Sequence, residues 1–540
     1  MVRAGLAALL GVLALAFASA ADAAPSKAAV EAAMKKATEF MVEKVAYNGG
    51  YVWSYTADMS RRWGELEAKP TQIWVQPPGT GTMGHLFLDA YHATGDEYYY
   101  RAAEKAAEAL IWGQNAAGGW NYLIDFGGEG SLKDWYATYG ANAWRMEEFQ
   151  HLWGNATFDD AGTSEAMQFL LRLYVEKHDP KWKLALDKAL NFVLEAQYPI
   201  GGWPQRYPLK SEFSHHGKPD YTSFITFNDD VAGENIKFLI MVYQALGDQR
   251  ALGAINRAMN SFIVTQQGAP QPGWGMQYTV ADLKPVGART YEPDTLTTHT
   301  TANNITQLMN FYELTGDAKF LARVPEALDW LDKVKLAQPT PDGKTHPTYI
   351  EIGTDRPIYV HRRGSNIVNG QYYWDYTPEH LLGHYGAYRK LDVPGLRRRY
   401  EALKATSPAV VTKTSPLTAR TLVPLPRFFA DRNLETSDLN VRLQDKAKPG
   451  TPSDKVQALT ATLNKQGYWP TPLVATSHPY TGATPPATPD GDYGSTNVGD
   501  ATDTSPYPTD KPQMGISTGT YIQNMGALID WLAVQPAGGN

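Results

Sequence analysis

Four stretches of the chain follow one plan, and that plan constrains the fold more than any other feature. Each runs as an apolar helical segment ending near a Tyr, a short Gly-Asp or Asp-Pro turn, a second Ala-rich helical segment, and usually a Gln followed by Gly-Trp. They are GTMGHLFLDAYHATGDEYYYRAAEKAAEALIWGQNAAGGW, SEAMQFLLRLYVEKHDPKWKLALDKALNFVLEAQYPIGGW, GENIKFLIMVYQALGDQRALGAINRAMNSFIVTQQ with PGW after it, and NNITQLMNFYELTGDAKFLARVPEALDWL. Tyr91, Tyr174, Tyr243 and Tyr312 hold one place in the plan, and Asp96, Asp179, Asp248 and Asp317 another. A helical hairpin with so narrow an apolar face does not stand alone, so neighbouring units must bury one another. The expectation is a mainly α fold built as an array of helix pairs.

At 540 residues with 43% hydrophobic content, the chain can bury a large core. A net charge of −7 and a pI near 6.0 leave no electrostatic footprint for nucleic acid or an anionic membrane surface. With no cysteine, disulfides, thiol nucleophiles and thiolate metal sites are excluded. Arg3, the apolar run Leu6 to Phe17 and Ala18-Ser19-Ala20 have the form of a secretion signal, too short to span a bilayer. The expected division is a signal peptide over 1–24, the helical-hairpin domain over 25–400, and a loop-rich C-terminal extension over 401–540. Closing helices are expected at DKVQALTATLNKQGYW and at Ser517 to Leu532. A secreted or periplasmic monomer is expected.

Two motifs carry candidate chemistry, and each has two readings. Trp120, Trp203 and Trp274 follow the second helices beside glycines that let a sugar or a backbone approach closely. They either plug the core at the helix end or stack on a ligand. In ITFNDDVAGENIKFL, Asn228, Asp229 and Asp230 precede an apolar helix. They either cap that helix or present carboxylates to a hard cation.

GGWPQRYP, ITFNDD, PGWGMQY with GARTYE, and EIGTDRPIYVHRRG, in this order among helical hairpins, resemble the family 10 polysaccharide lyases. These are pectate lyases with an (α/α) toroid. The resemblance covers most of Ala28 to Tyr400. It implies Ca2+-dependent cleavage of polygalacturonate, or a related acidic polysaccharide, by anti β-elimination. It places the calcium-proximal carboxylates at Asp159 and Asp229, and substrate contacts at Arg289, Arg356, Trp203 and Gln205. The register of the last motif places the base at Arg362. His361 is the conventional alternative, because imidazole titrates near neutrality while guanidinium keeps its proton. Three positions depart from the family pattern: His361 and Arg363 stand where Asp is usual, and Thr348 where Arg is common.

A glycoside hydrolase on an (α/α) barrel, acting on a uronic-acid polysaccharide, would share tryptophan-lined grooves and paired Asp residues. A non-catalytic carbohydrate-binding protein would share the tryptophans. Only a lyase produces an ultraviolet-absorbing unsaturated uronide.

Overall fold

The computed structural model describes residues 25–140, 147–210, 214–215, 218–363, 371–379, 381, 386–429, 436–440, 450–473 and 513–535. The proposed signal peptide, 1–24, lies outside them. The helices are α1 (Lys27–Phe40), α2 (Thr80–Thr94), α3 (Glu97–Gly113), α4 (Glu129–Thr138), α5 (Gly162–Lys177), α6 (Lys183–Ala196), α7 (Val231–Leu246) and α8 (Gln249–Thr265). They continue with α9 (Thr298–Thr315), α10 (Val324–Lys333), α11 (Val393–Lys404), α12 (Pro408–Val411), α13 (Ser453–Thr462) and α14 (Thr518–Ala533).

The two repeated anchors are the two halves of one turn. The first helix of each unit ends in a left-handed residue, Gly95, His178, Gly247 or Gly316. The N–H groups of these residues return to the carbonyls of Tyr91, Tyr174, Tyr243 and Tyr312 at 2.7–2.9 Å. Asp96, Asp179, Asp248 and Asp317 then accept from the backbone N–H two residues on and start the next helix.

The Gly-Trp signal is structural. Trp120, Trp203 and Trp274 are fully buried and donate their indole N–H to the carbonyls of Leu110, Val193 and Phe262. Of the two readings for these residues the structure selects core plugging, so Trp203 does not present a stacking face to ligand. The glycines admit backbone, not sugar. Gly118 and Gly201 have φ of 107° and 108°, and a Cβ would lie 2.3 Å from the carbonyl oxygen of Lys188 in the first case and 2.0 Å from that of Arg257 in the second.

The hairpins form an (α/α) toroid. α14 packs on α2, α2 on α5 and α5 on α7. α13 repeats the outer-helix plan, because Trp469 donates to the carbonyl of Leu459 as the other three tryptophans do to theirs. α14 and α13 pack on each other and both pack on α1, and strand Met514–Ser517 pairs antiparallel with Ser54–Thr56. Helices beyond residue 400 therefore build the same array as those near the N-terminus. Much of the loop-rich extension, including 474–512, lies outside the described residues. A four-stranded antiparallel sheet, ordered Thr295–Thr297, Tyr349–Glu351, Pro357–Arg363, Gln371–Asp375, stands beside the start of α9.

Candidate active site

α5 and α7 begin in the same unusual way. Thr157-Phe158-Asp159-Asp160-Ala161 and Thr226-Phe227-Asn228-Asp229-Asp230 each hang from the preceding tryptophan loop: Thr157 N–H donates to the Trp120 carbonyl and Thr226 N–H to that of Trp203. Phe158 N–H then donates to Gln205 O and Phe227 N–H to Met276 O, each at 2.8 Å. In both stretches the last two residues are left-handed: Asp160 and Ala161 at φ 48° and 55°, Asp229 and Asp230 at 51°. Two consecutive non-glycine residues there cost on the order of 1–3 kcal/mol each and are held by their surroundings. Asp160 is thus the counterpart of Asp229, and Asp159 that of Asn228. Asp230, at the N-cap position of α7, makes no side-chain capping hydrogen bond.

Asp160, Asp229 and Asp230 line a cavity of about 620 Å3 that runs inward between α2, α5 and α7. Glu65, Glu165 and Glu234 share its wall with Lys237, Gln76 and Trp53, and Phe429 also lines it. Asp159 lies behind this wall, fully buried. Its Oδ2 accepts from Tyr122 Oη at 2.6 Å and Arg289 Nη2 at 2.7 Å. Burial works to raise the Asp159 pKa, but Arg289, the Tyr122 hydroxyl and contacts with Gln205 and Asp229 outweigh it and hold the group below its ordinary value. Asp229 is pushed well above the usual carboxylate range by burial and by the Asp159 charge, and Asp160 by burial and by Asp229, Asp159 and Glu65. Gathering these carboxylates disfavours their simultaneous ionisation.

The cluster suits a hard cation. Asp159 Oδ1 is buried and has no hydrogen-bond donor, while Asp229 lies within hydrogen-bonding reach of Asp159. A cation held by Asp159 and Asp229 would satisfy the orphaned atom and offset the repulsion that raises the neighbouring pKa values. Among the described residues no three His, Asp or Glu side chains converge on one metal position. Further oxygens would come from water or ligand.

Arg289 occupies a different place from the one expected of a substrate clamp. Only 2% exposed, it donates from Nη2 to Asp159, from Nε to Glu148 at 3.2 Å and from Nη1 to Glu292 at 3.1 Å. Its fork is taken up by protein carboxylates. Gln205 is buried beside Asp159 and contacts it. Arg356 is exposed at the turn before strand Pro357–Arg363, with its guanidinium 3.4 Å from the centre of the Tyr376 ring. The Arg362 backbone pairs with Tyr372 on that strand; its side chain lies outside the described part of the molecule. His361 is buried, hydrogen-bonded through Nε2 to Asp375 at 3.0 Å and stacked on Tyr373. Thr348 is buried and donates to the Gly386 carbonyl.

Glu148, Glu292, Tyr122, Glu65, Gln76 and Trp53 were not singled out from sequence. Glu292 alone had a local signal, lying three residues after Arg289 in GARTYE, close enough for a side-chain pair.

Residues 133–373 match the family model described as pectic acid lyase. The family 10 polysaccharide lyase from Cellvibrio cellulosa is similar at 20% identity, over 52% of this chain and 84% of that one, with a TM-score of 0.36. A variant of that enzyme in complex with trigalaturonic acid is 18% identical over 62% and 96%, with a TM-score of 0.38. The cellobiose 2-epimerase from Spirochaeta thermophila is 11% identical over 70% and 100%, with a TM-score of 0.33. No curated protein matches the chain. The family match bears out the resemblance to the polysaccharide lyases and the enzyme class drawn from it.

Proposed function

We propose that the protein is a secreted pectate lyase that cleaves polygalacturonate by calcium-dependent anti β-elimination. The observation that carries the reading is the half-buried Asp229 at the wall of an acidic cavity with the fully buried Asp159 directly behind it, within the segment that matches the pectic acid lyase model. Asp159 and Asp229 would hold the ion, with the remaining oxygens supplied by water or substrate. Bound there, calcium supplies positive charge to the uronate carboxylate as negative charge develops on it.

The reaction removes the proton from C5 of a galacturonate, forms the C4–C5 double bond and expels O4 as the leaving group. Arg289 keeps Asp159 ionised and fixed in orientation, assisted by Tyr122 and Gln205. In this reading a neutral Arg362 guanidine, its protonated form disfavoured by the positive charge a bound ion would supply, takes the C5 proton, solvent protonates the departing O4, and Arg356 contacts a uronate. The engagement of His361 with Asp375 and its burial favour Arg362 over it.

One observation favours a second reading. Neighbouring carboxylates with pKa values pushed apart, Asp159 down and Asp229 up, also describe the acid and base of a glycoside hydrolase. Incubation with polygalacturonate, with and without a chelator, decides between them. A lyase gives a calcium-dependent, ultraviolet-absorbing product; a hydrolase gives new reducing ends without absorbance.

A further inference from the structure

The tryptophans advertised by the repeats are buried, yet the cavity has an aromatic wall of its own. Trp53 lies outside the segment matching the family model, is partly exposed, and lines the same cavity as Asp160 and Asp229. Its placement is rigid. Trp53 N–H donates to the Trp63 carbonyl at 2.8 Å, and its own carbonyl accepts from Thr518 N–H at 2.9 Å, at the start of α14. The indole Nε1 donates to the main-chain carbonyl of Gln76 at 3.1 Å.

Gln76 ties this ring to the acidic cluster. Its Nε2 donates to Asp160 Oδ2 and to Glu65 Oε2, each at 2.8 Å, and its Oε1 accepts from Trp74 Nε1 at 3.0 Å. The indole and the Asp160 carboxylate are thus held by the main chain and the side chain of one residue.

We propose that Trp53 is the sugar-stacking platform of this site. It takes the apolar C–H face of the galacto-configured pyranose next along the chain from the residue that loses its C5 proton, the residue whose carboxylate points toward Asp160 and Asp229. A galacto ring carries its C3, C4 and C5 hydrogens on one face, an apolar patch suited to an indole, while its carboxylate is directed to the ring edge. The inference rests on the pectate lyase reading and specifies how its substrate is seated.

The test is steady-state kinetics on polygalacturonate with Trp53→Ala and Trp53→Phe, each over a calcium titration. Trp53→Ala is expected to raise KM about tenfold, equivalent to about 1.4 kcal/mol, with kcat and the calcium concentration for half-maximal rate little changed. Trp53→Phe, which keeps a ring, should stay within about threefold of wild type. A wild-type KM in Trp53→Ala overturns the platform while leaving the lyase standing. So does a shift confined to the calcium dependence, which would reduce Trp53 to a support for Gln76. If Trp53→Ala does not fold, a Trp53→Phe variant whose KM rises tenfold overturns the proposal. A wild-type protein that forms no absorbing product sinks the lyase reading, and this inference with it.

Discussion

Arg289 Nη2 stands 2.7 Å from Asp159 Oδ2, and both side chains are almost completely removed from solvent. The guanidinium also serves Glu148 and Glu292, so one cation is shared by three buried carboxylates. This makes Arg289 a structural centre of the site.

Arg289→Ala should therefore destabilise the fold, by about 3–5 kcal/mol, because it leaves buried carboxylates without their partner. Chemical denaturation measures this. An unchanged unfolding midpoint with only a raised KM would restore Arg289 to the role of an exposed substrate clamp.

Asp229→Ala should behave in the opposite sense. It removes a carboxylate whose neighbours already disfavour its charge, so the thermal midpoint should hold or rise in the absence of calcium. Calcium-dependent turnover should fall at least tenfold at limiting calcium, and Asp160→Ala should show a weaker form of the same defect. Normal turnover at limiting calcium in Asp229→Ala would remove the residue from the ion site.

The pKa directions predict how stability varies with pH. Asp229 and Asp160 have raised folded-state pKa values, so the native state binds more protons than the unfolded chain. Their stabilising contribution is complete below the unfolded carboxylate pKa and is lost as pH rises through the folded one. Asp159, held low, has the reverse dependence: its contribution is present above the unfolded carboxylate pKa and is lost as pH falls through the lowered folded one. Calorimetry in chelator should find the protein more stable at mildly acidic than at neutral pH. Added calcium should raise the melting temperature more at neutral pH, where the carboxylates must ionise to bind it. A calcium effect independent of pH would contradict the assignment.

The array of hairpins was legible in the sequence because its markers are local. Tyr91 and Asp96, with their counterparts, sit at a helix end and at the next helix start, where the backbone itself demands a left-handed turn and a cap. The Gly-Trp signal was ambiguous because a buried plug and a ligand platform need the same residues; only the hydrogen bond from Trp203 to Val193 and its burial separate them. The pairing of Asp159 with Arg289, 130 residues apart, has no local trace. The one-residue offset that matches Asp160 with Asp229 shows only in the paired left-handed conformations.

For the base, Arg362→Ala should abolish product formation while polygalacturonate still binds. Arg362→Lys should recover part of the rate, since an amine releases its proton more readily than a guanidinium. His361→Ala should retain turnover but lose stability, because it empties a buried stack on Tyr373 and frees Asp375. A rate profile that rises through the imidazole range and collapses in His361→Ala would transfer the role to His361.

The most direct test of the account is the ultraviolet absorbance of the wild-type reaction with polygalacturonate. Chelator is added first, and calcium is then restored in excess. The account predicts no absorbing product in chelator and a steady rise once calcium returns, from cleavage that leaves a C4–C5 double bond on each new non-reducing end. Bond cleavage seen as new reducing ends without absorbance, or absorbance that persists in chelator, would contradict it.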